Sequence, residues 1–234
     1  MAQQTPPRTA KTDGRKRRWH QHKVERRTEL VDGTLDAIRK RGREVSMDEI
    51  AAEIGVSKTV LYRYFVDKND LTTAVMMRFA QTTLIPNMAA ALSAHLDGFE
   101  LTREIIRVYV ATVADEPEIY PFVMANSSAS RSKVIADSER IIAGMLAVVL
   151  RRRMQEAGMD THGVEPWAYL IVGGVQLATH SWMSHRRMSS DDLIDYLTML
   201  SWNALIGIVE VGGSLEKFNA EPHPSPIPPS LELK

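Results

Sequence analysis

The sequence has no cysteine, which excludes disulfides, thiolate nucleophiles and cysteine-held zinc or iron–sulfur sites. It has no uninterrupted apolar run near the ~18 residues that a membrane span needs. The closest are Ile141–Leu150, closed by Arg151, Arg152 and Arg153, and Ala168–Met183, broken by Gly173, Gly174, Gln176, Thr179 and His180. No apolar stretch follows the basic N-terminus, so no secretory signal is read, no membrane partner is assigned, and a soluble cytoplasmic protein is expected. Catalytic signatures are missing as well: there is no Gly-x-Ser-x-Gly, no phosphate loop, no Gly-x-Gly-x-x-Gly and no His-Glu-x-x-His. Of the seven histidines, only His20/His22 and His180/His185 lie near one another. The first pair sits in basic surroundings that repel a metal, and the second is five apart and badly aligned on a helix. No catalytic residue, metal or cofactor is assigned, and the expectation is a protein that is not an enzyme.

Net charge is absent too, with 29 Lys+Arg against 29 Asp+Glu. Taken alone, neutrality argues against a polyanionic partner. The distribution argues the other way. Residues 1–80 carry 17 basic and 11 acidic side chains, and residues 81–234 carry 12 and 18. Such asymmetry separates a basic end suited to a polyanion from an acidic remainder with another task.

What is present is helical periodicity. Val24, Val31, Leu35 and Ile38 form one stripe ending near Gly42. Met47, Ile50, Ala51 and Ile54 follow, with Ser46 and Glu49 spaced as a capping box. Ser57 caps a short helix carrying Val60, Leu61, Tyr64 and Phe65. Asp67 caps a fourth that starts at Lys68 and runs toward Leu84, with Pro86 as its end or kink. Further helices are predicted over about 101–114, 117–127, 131–157, 163–186 and 190–210. No alternating strand pattern survives. The expected fold class is all-α with about nine helices: a basic disordered arm (1–20), a first helical domain (21–67), a second (68–218) and a disordered tail (219–234) with five prolines.

The informative segment runs from Met47 to Phe65. Two short crossing helices need a small residue where they meet, which Ala51 supplies. The tight turn needs a residue tolerant of positive φ, which Gly55 supplies. Val56 plugs the turn, and Val60 and Leu61 face inward. This is helix-turn-helix spacing, whose second helix enters the DNA major groove.

From Arg26 to about Phe79 the chain resembles the N-terminal domain of TetR/AcrR-family transcriptional repressors, most closely in GVSKTVLYRYFVDKNDL (Gly55–Leu71). The resemblance implies that Ser46, Ser57, Lys58, Thr59, Tyr62 and Tyr64 face DNA, with Arg63 partly so. It also places Lys68 on a phosphate at the start of the fourth helix. Base reading then falls to Lys58, Thr59 and Tyr62. Many members carry Gly-Thr where this chain has Thr59-Val60, so Val60 is expected to pack inward. The leader with Arg15, Arg17 and Arg18 has two readings, a solvated tail or an arm lying on DNA.

One recognition helix reads too few base pairs, so a homodimer on an inverted-repeat duplex operator is expected. Gly173, Gly174 and Leu177 on one helix and Leu193, Leu197, Leu200 and Ala204 on the next are the candidate interface; the alternative is that both helices are core of one monomer. The chain has 12 methionines, a residue that fills reshaping cavities. By resemblance the middle helices hold an effector pocket, for which Met76, Phe79, Met88, Tyr109, Tyr120, Phe122, Met124, Asn126, Met145 and Trp182 are candidates, or else plain core. The fourth helix is the expected lever between effector and DNA.

Two C-terminal segments, Gly173–Ala178 and Asp192–Leu197, look similar to repressors of actinobacterial fatty-acid synthesis and mycolate desaturation. That likeness implies a long-chain acyl-CoA effector, with Arg103, Arg107, Arg131 or Lys133 near its phosphates. The alternatives are a regulator of drug efflux or catabolism with another apolar small-molecule effector, or a helical nucleic-acid or protein-binding module.

Overall fold

A computed structural model describes residues 10–125, 129–220 and 222–223, without the side chains of 10–18, 124–125 and 129–132. Its elements, in chain order, are α1 (Ala10–Arg41), α2 (Met47–Ile54), α3 (Lys58–Tyr64), α4 (Lys68–Phe79), a π-helical turn (Ala80–Leu84), α5 (Ile85–Leu92), α6 (Gly98–Ala114), α7 (Ile119–Ala125), α8 (Ala129–Glu156), α9 (Val164–His185), α10 (Ser190–Glu210) and α11 (Leu215–Ala220). The described residues are all-helical, as the periodicity indicated.

Three boundaries differ from expectation. First, α1 begins at Ala10, so the second half of the supposed disordered arm is helical; beyond Pro7 it holds no proline, and Lys, Arg and Gln are good helix formers. Second, Pro86 does not end the helical run. The run changes to π-helical over Ala80–Leu84 and continues as α5, whose second residue is Pro86, so of the two expectations the irregularity is a local one just before the proline. Third, the chain divides into two compact units, residues 1–84 with 115–136 and residues 85–114 with 137–234. The break therefore falls after Leu84 and not at Asp67, and α7 belongs with the N-terminal helices.

In the first unit, here the head, α1 packs on α2, α4 and α7, and α2 packs on α3. Leu30, Ile38, Ile50, Leu61, Phe65 and Phe122 are fully or almost fully buried there. The local rules are obeyed. Ser46 and Glu49 make the capping box of α2, and Gly55 closes that helix at φ 75°. Ser57 and Asp67 cap α3 and α4 by accepting from the backbones of Val60 and Asp70. In the second unit, the body, α6 packs on α5, α9 and α10, and α9 packs on α10. Its interior includes Ile106, Val110, Val113, Ala143, Val164 and Ala168.

Candidate nucleic-acid interface and ligand cavity

Burial of Leu61 and half-burial of Val60 and Tyr64 fix the rotation of α3. That leaves Lys58, Thr59, Tyr62 and Arg63 exposed, with Ser57 exposed at the helix start. The short helix is held firmly from behind. Arg27 of α1 donates to Asp70 Oδ1 at 2.9 Å, and its guanidinium lies 4.6 Å from the centre of the Phe65 ring. The second oxygen of Asp70 accepts the Val66 backbone N–H at 3.0 Å. Arg78 clamps α4 to α1 through two bonds to Asp32, at 2.6 and 2.9 Å. Lys40 and Arg41 both reach Glu53 on α2, and those hydrogen bonds hold its carboxyl below the usual glutamate range.

Lys58 donates to Asp48 Oδ2 at 2.7 Å, a bond that raises its ammonium above the usual lysine range. A DNA phosphate or base edge must compete with Asp48 for this cation, whereas among the described residues Thr59, Tyr62 and Arg63 pair with no carboxylate. Ser46 is half-buried, and its hydroxyl is committed to Glu49, donating to Oε2 at 2.7 Å. The structure places Lys68 differently from the sequence reading. Its ammonium donates to the Val45 carbonyl at 2.9 Å and lies 5.5 Å from the centre of the Phe122 ring, so it ties the α1–α2 turn instead of standing free at the helix end. Neither partner is near Lys68 in sequence, and nothing in the local pattern signals them.

Trp19, His22 and Lys23 on α1 share a groove with Arg63 and Tyr64 of α3. Sequence reading had not singled out this cluster, although a basic run interleaved with an aromatic was its available signal. The side chains of Arg15, Arg17 and Arg18 lie outside the described residues.

The body holds an apolar cavity of about 300 Å³, lined by Leu101, Ile105, Leu146, Ile171 and Leu205 among others, with Arg153 and Trp202. Met88 and Tyr109 line a smaller void that shares Ile105, Leu146 and Ile171 with it. The other ligand candidates lie elsewhere. Met76, Phe79 and Phe122 are buried core of the head. Tyr120 is also in the head, where burial pushes its phenol up to about 12. Trp182 donates its indole N–H to the Met188 carbonyl at 2.9 Å. Met145 is half-buried on α8 and lines neither void. The side chain of Met124 and all of Asn126 fall outside the described residues, as does the side chain of Arg131. Arg103 pairs with Asp195 and Arg107 with Glu104, so these two of the four candidate phosphate partners are already engaged; Lys133 is exposed.

Of the interface candidates, Leu177 and Leu200 are each 70% exposed, and Gly174 and Ala204 are exposed. Leu197 and Gly173 are half-buried. No atom lies within 4 Å of where a Cβ would stand on Gly173 or Gly174, so the backbone is open to close approach. Leu193 is the exception: it is buried within its own chain, although it lies on the same face of α10 as Leu200, two turns nearer the helix start. By length and composition alone α10 is apolar enough to cross a membrane, and with only 17% of that window buried, packing within this chain does not account for its apolar side chains.

A short helix displaying Lys, Thr, Tyr and Arg, set behind a glycine turn and braced by three other helices, defines a helix-turn-helix DNA-binding transcriptional regulator. The chain belongs to the TetR family of bacterial regulatory proteins: the family's N-terminal pattern matches residues 30–75, and a tetracyclin repressor-like C-terminal domain matches residues 87–214. An HTH-type transcriptional regulator of Mycobacterium tuberculosis is 84% identical over 98% of both chains. The transcriptional activator FasR of Mycolicibacterium smegmatis is 24% identical over 77% of this chain and 83% of its own. The fold is similar to that of the transcriptional regulator FadR from Bacillus subtilis in complex with stearoyl-CoA, with TM-score 0.58 and 17% identity over 74% of this chain and 96% of that one.

Proposed function

We propose that the chain is a homodimeric repressor, working in the cytoplasm, that reads an inverted-repeat operator through α3 and is governed by an apolar small molecule in the body. The outward display of Lys58, Thr59, Tyr62 and Arg63 carries this reading. These are groups that donate to base edges and phosphates, and no packing need explains their exposure. Lys23 and Arg63, flanked by Trp19 and Tyr64, extend the contact onto the flanking phosphate backbone, continuing the basic leader.

The exposed strip of Leu170, Leu177, Met199 and Leu200 supports pairing through α9 and α10. A second copy of the same strip covers it with two-fold symmetry and spaces two recognition helices for successive major grooves, about 34–36 Å apart. The body cavity supports an apolar effector; the similarly folded FadR holds stearoyl-CoA, and with the likeness to lipid-metabolism repressors this directs attention to acyl chains and lipid-metabolism genes. An effector acts by binding one spacing of the two reading heads better than the other, with α4 as the transmitting helix.

The test is footprinting with the full chain on DNA flanking its own gene, followed by a reporter assay. Two protected half-sites and repression relieved by an acyl ligand support the reading. Binding without sequence preference would leave a general nucleic-acid-binding module. Because FasR is named an activator, the reporter also decides the sign of regulation.

A further inference from the structure

Arg153 was visible in the sequence only as the end of a basic run closing an apolar one, and it occupies an unusual place. It lines the body cavity beside Leu101, Ile105, Leu146 and Trp202, and it is half-buried. Its Nη2 donates to the Leu96 carbonyl at 2.8 Å, and among the described residues no carboxylate pairs with it. Two more-exposed arginines of the same unit, on α6, do meet carboxylates. Arg103 pairs with Asp195 at 2.9 Å, and Arg107 pairs with Glu104 at 2.6 Å. A guanidinium carries five N–H donors in a rigid fork, and one carbonyl satisfies a single donor. Half-burial of a charge against apolar walls is costly unless an anion meets it.

From this we infer that the cavity takes an aliphatic monocarboxylate, with its chain among Leu101, Ile105, Leu146, Ile171 and Leu205 and its carboxylate on the fork of Arg153. The inference rests on the reading of this cavity as the effector site and sharpens it. The recognised head is a free acid, and neither a neutral lipid nor the distant phosphates of a nucleotide thioester is what Arg153 reads. Guanidinium and carboxylate match in a bidentate arrangement that an alcohol or a thioester carbonyl does not offer. A cavity of about 300 Å³ stands at the small end of ligand pockets, which run to about 1,000 Å³, and suits one alkyl chain. Trp202, set edge-on to Phe99 with ring centres 5.5 Å apart, lines the same cavity and gives an optical reporter.

The experiment titrates the full-length chain with fatty acids from octanoate to hexadecanoate, the matching primary alcohols and the matching acyl-CoA thioesters. Tryptophan fluorescence and calorimetry are the readouts, applied to the parent, Arg153→Gln and Arg153→Lys. The expected result is a preference of the parent for acid over alcohol of at least about tenfold, as for a charge-assisted hydrogen bond. Affinity should rise roughly fourfold per methylene until the cavity is filled. Arg153→Gln should lose the acid preference yet keep its alcohol affinity, which also certifies that the variant is folded. Arg153→Lys should retain part of the preference.

Equal binding of acid and alcohol by the parent, or an acid preference unchanged in Arg153→Gln, overturns the inference and leaves the effector site standing. Tight thioester binding that is indifferent to Arg153, with no binding of free acid, also overturns it. No binding by any member of the three series removes the effector site and the inference together.

Discussion

On α3 of the head, the side chains left exposed after folding are polar and cationic, whereas α9 and α10 of the body leave large apolar ones exposed. Leu61 and Tyr62 are adjacent on α3, yet one is fully buried and the other is 47% exposed. On α10, Leu193 is buried and Leu200, two turns on along the same face, is 70% exposed. Packing explains Leu61 and Leu193. It explains neither Tyr62 nor Leu200, and the chemistry of each surplus identifies its partner. A hydroxyl and cation display suits a polyanion with readable edges; a leucine and methionine strip suits another apolar surface.

The comparison breaks most visibly at the apolar strip. Leu177→Glu combined with Leu200→Glu places four carboxylates per pair where leucines, each worth about 1.5–3 kcal/mol on burial, are expected to meet. Sedimentation should then report a monomer, and operator affinity should fall at least about 100-fold, since one head retains few contacts. A double variant that still sediments as the parent does would return both helices to the role of monomer core.

The next largest effects separate the two neighbours on α3. Leu61→Ala should cost about 2–5 kcal/mol of stability, read in denaturant unfolding. Tyr62→Ala should leave stability within about 0.5 kcal/mol of the parent. Its operator binding should weaken by about 1–3 kcal/mol per half-site. If Tyr62→Ala lost stability and not binding, α3 would be a packing helix and no reading helix.

The smallest effect concerns the start of α2. Ser46→Ala removes the capping hydroxyl and should cost about 0.5–2 kcal/mol. It should also alter acid sensitivity. The bonds from Ser46 hold the Glu49 carboxyl below its ordinary value of 4.5. A carboxyl with a lowered folded pKa contributes stability that is present above that value and is lost as pH falls through its folded pKa. The parent should therefore lose stability more steeply than Ser46→Ala below pH 4.5, as thermal melts across that range would record.

Much of the head was legible because its signals are local. The Ser46/Glu49 box, the Gly55 turn and the Ser57 and Asp67 caps each act within four residues, and each appears where the sequence put it. Inward packing of Leu61 followed from the same helical spacing. Long-range partners were not legible. Lys68 turns to Val45 and Phe122, which no window around Lys68 contains. Helical spacing marks Met76, Phe79 and Phe122 as apolar-facing but does not say which unit they face, and all three are core of the head. Leu193 and Leu200 share one face of α10, so helical spacing alone does not say that the first is buried and the second spare. Arg153 read as the end of a run because a missing counter-ion is visible only in three dimensions.

The most direct measurement is sedimentation of the full chain on a short duplex carrying its footprinted site, run for the parent and for Tyr62→Ala. The account predicts two chains per inverted repeat for the parent, none on a scrambled duplex of equal length, and a large loss for Tyr62→Ala. Equal binding of scrambled and native duplexes, undisturbed by Tyr62→Ala, would contradict it.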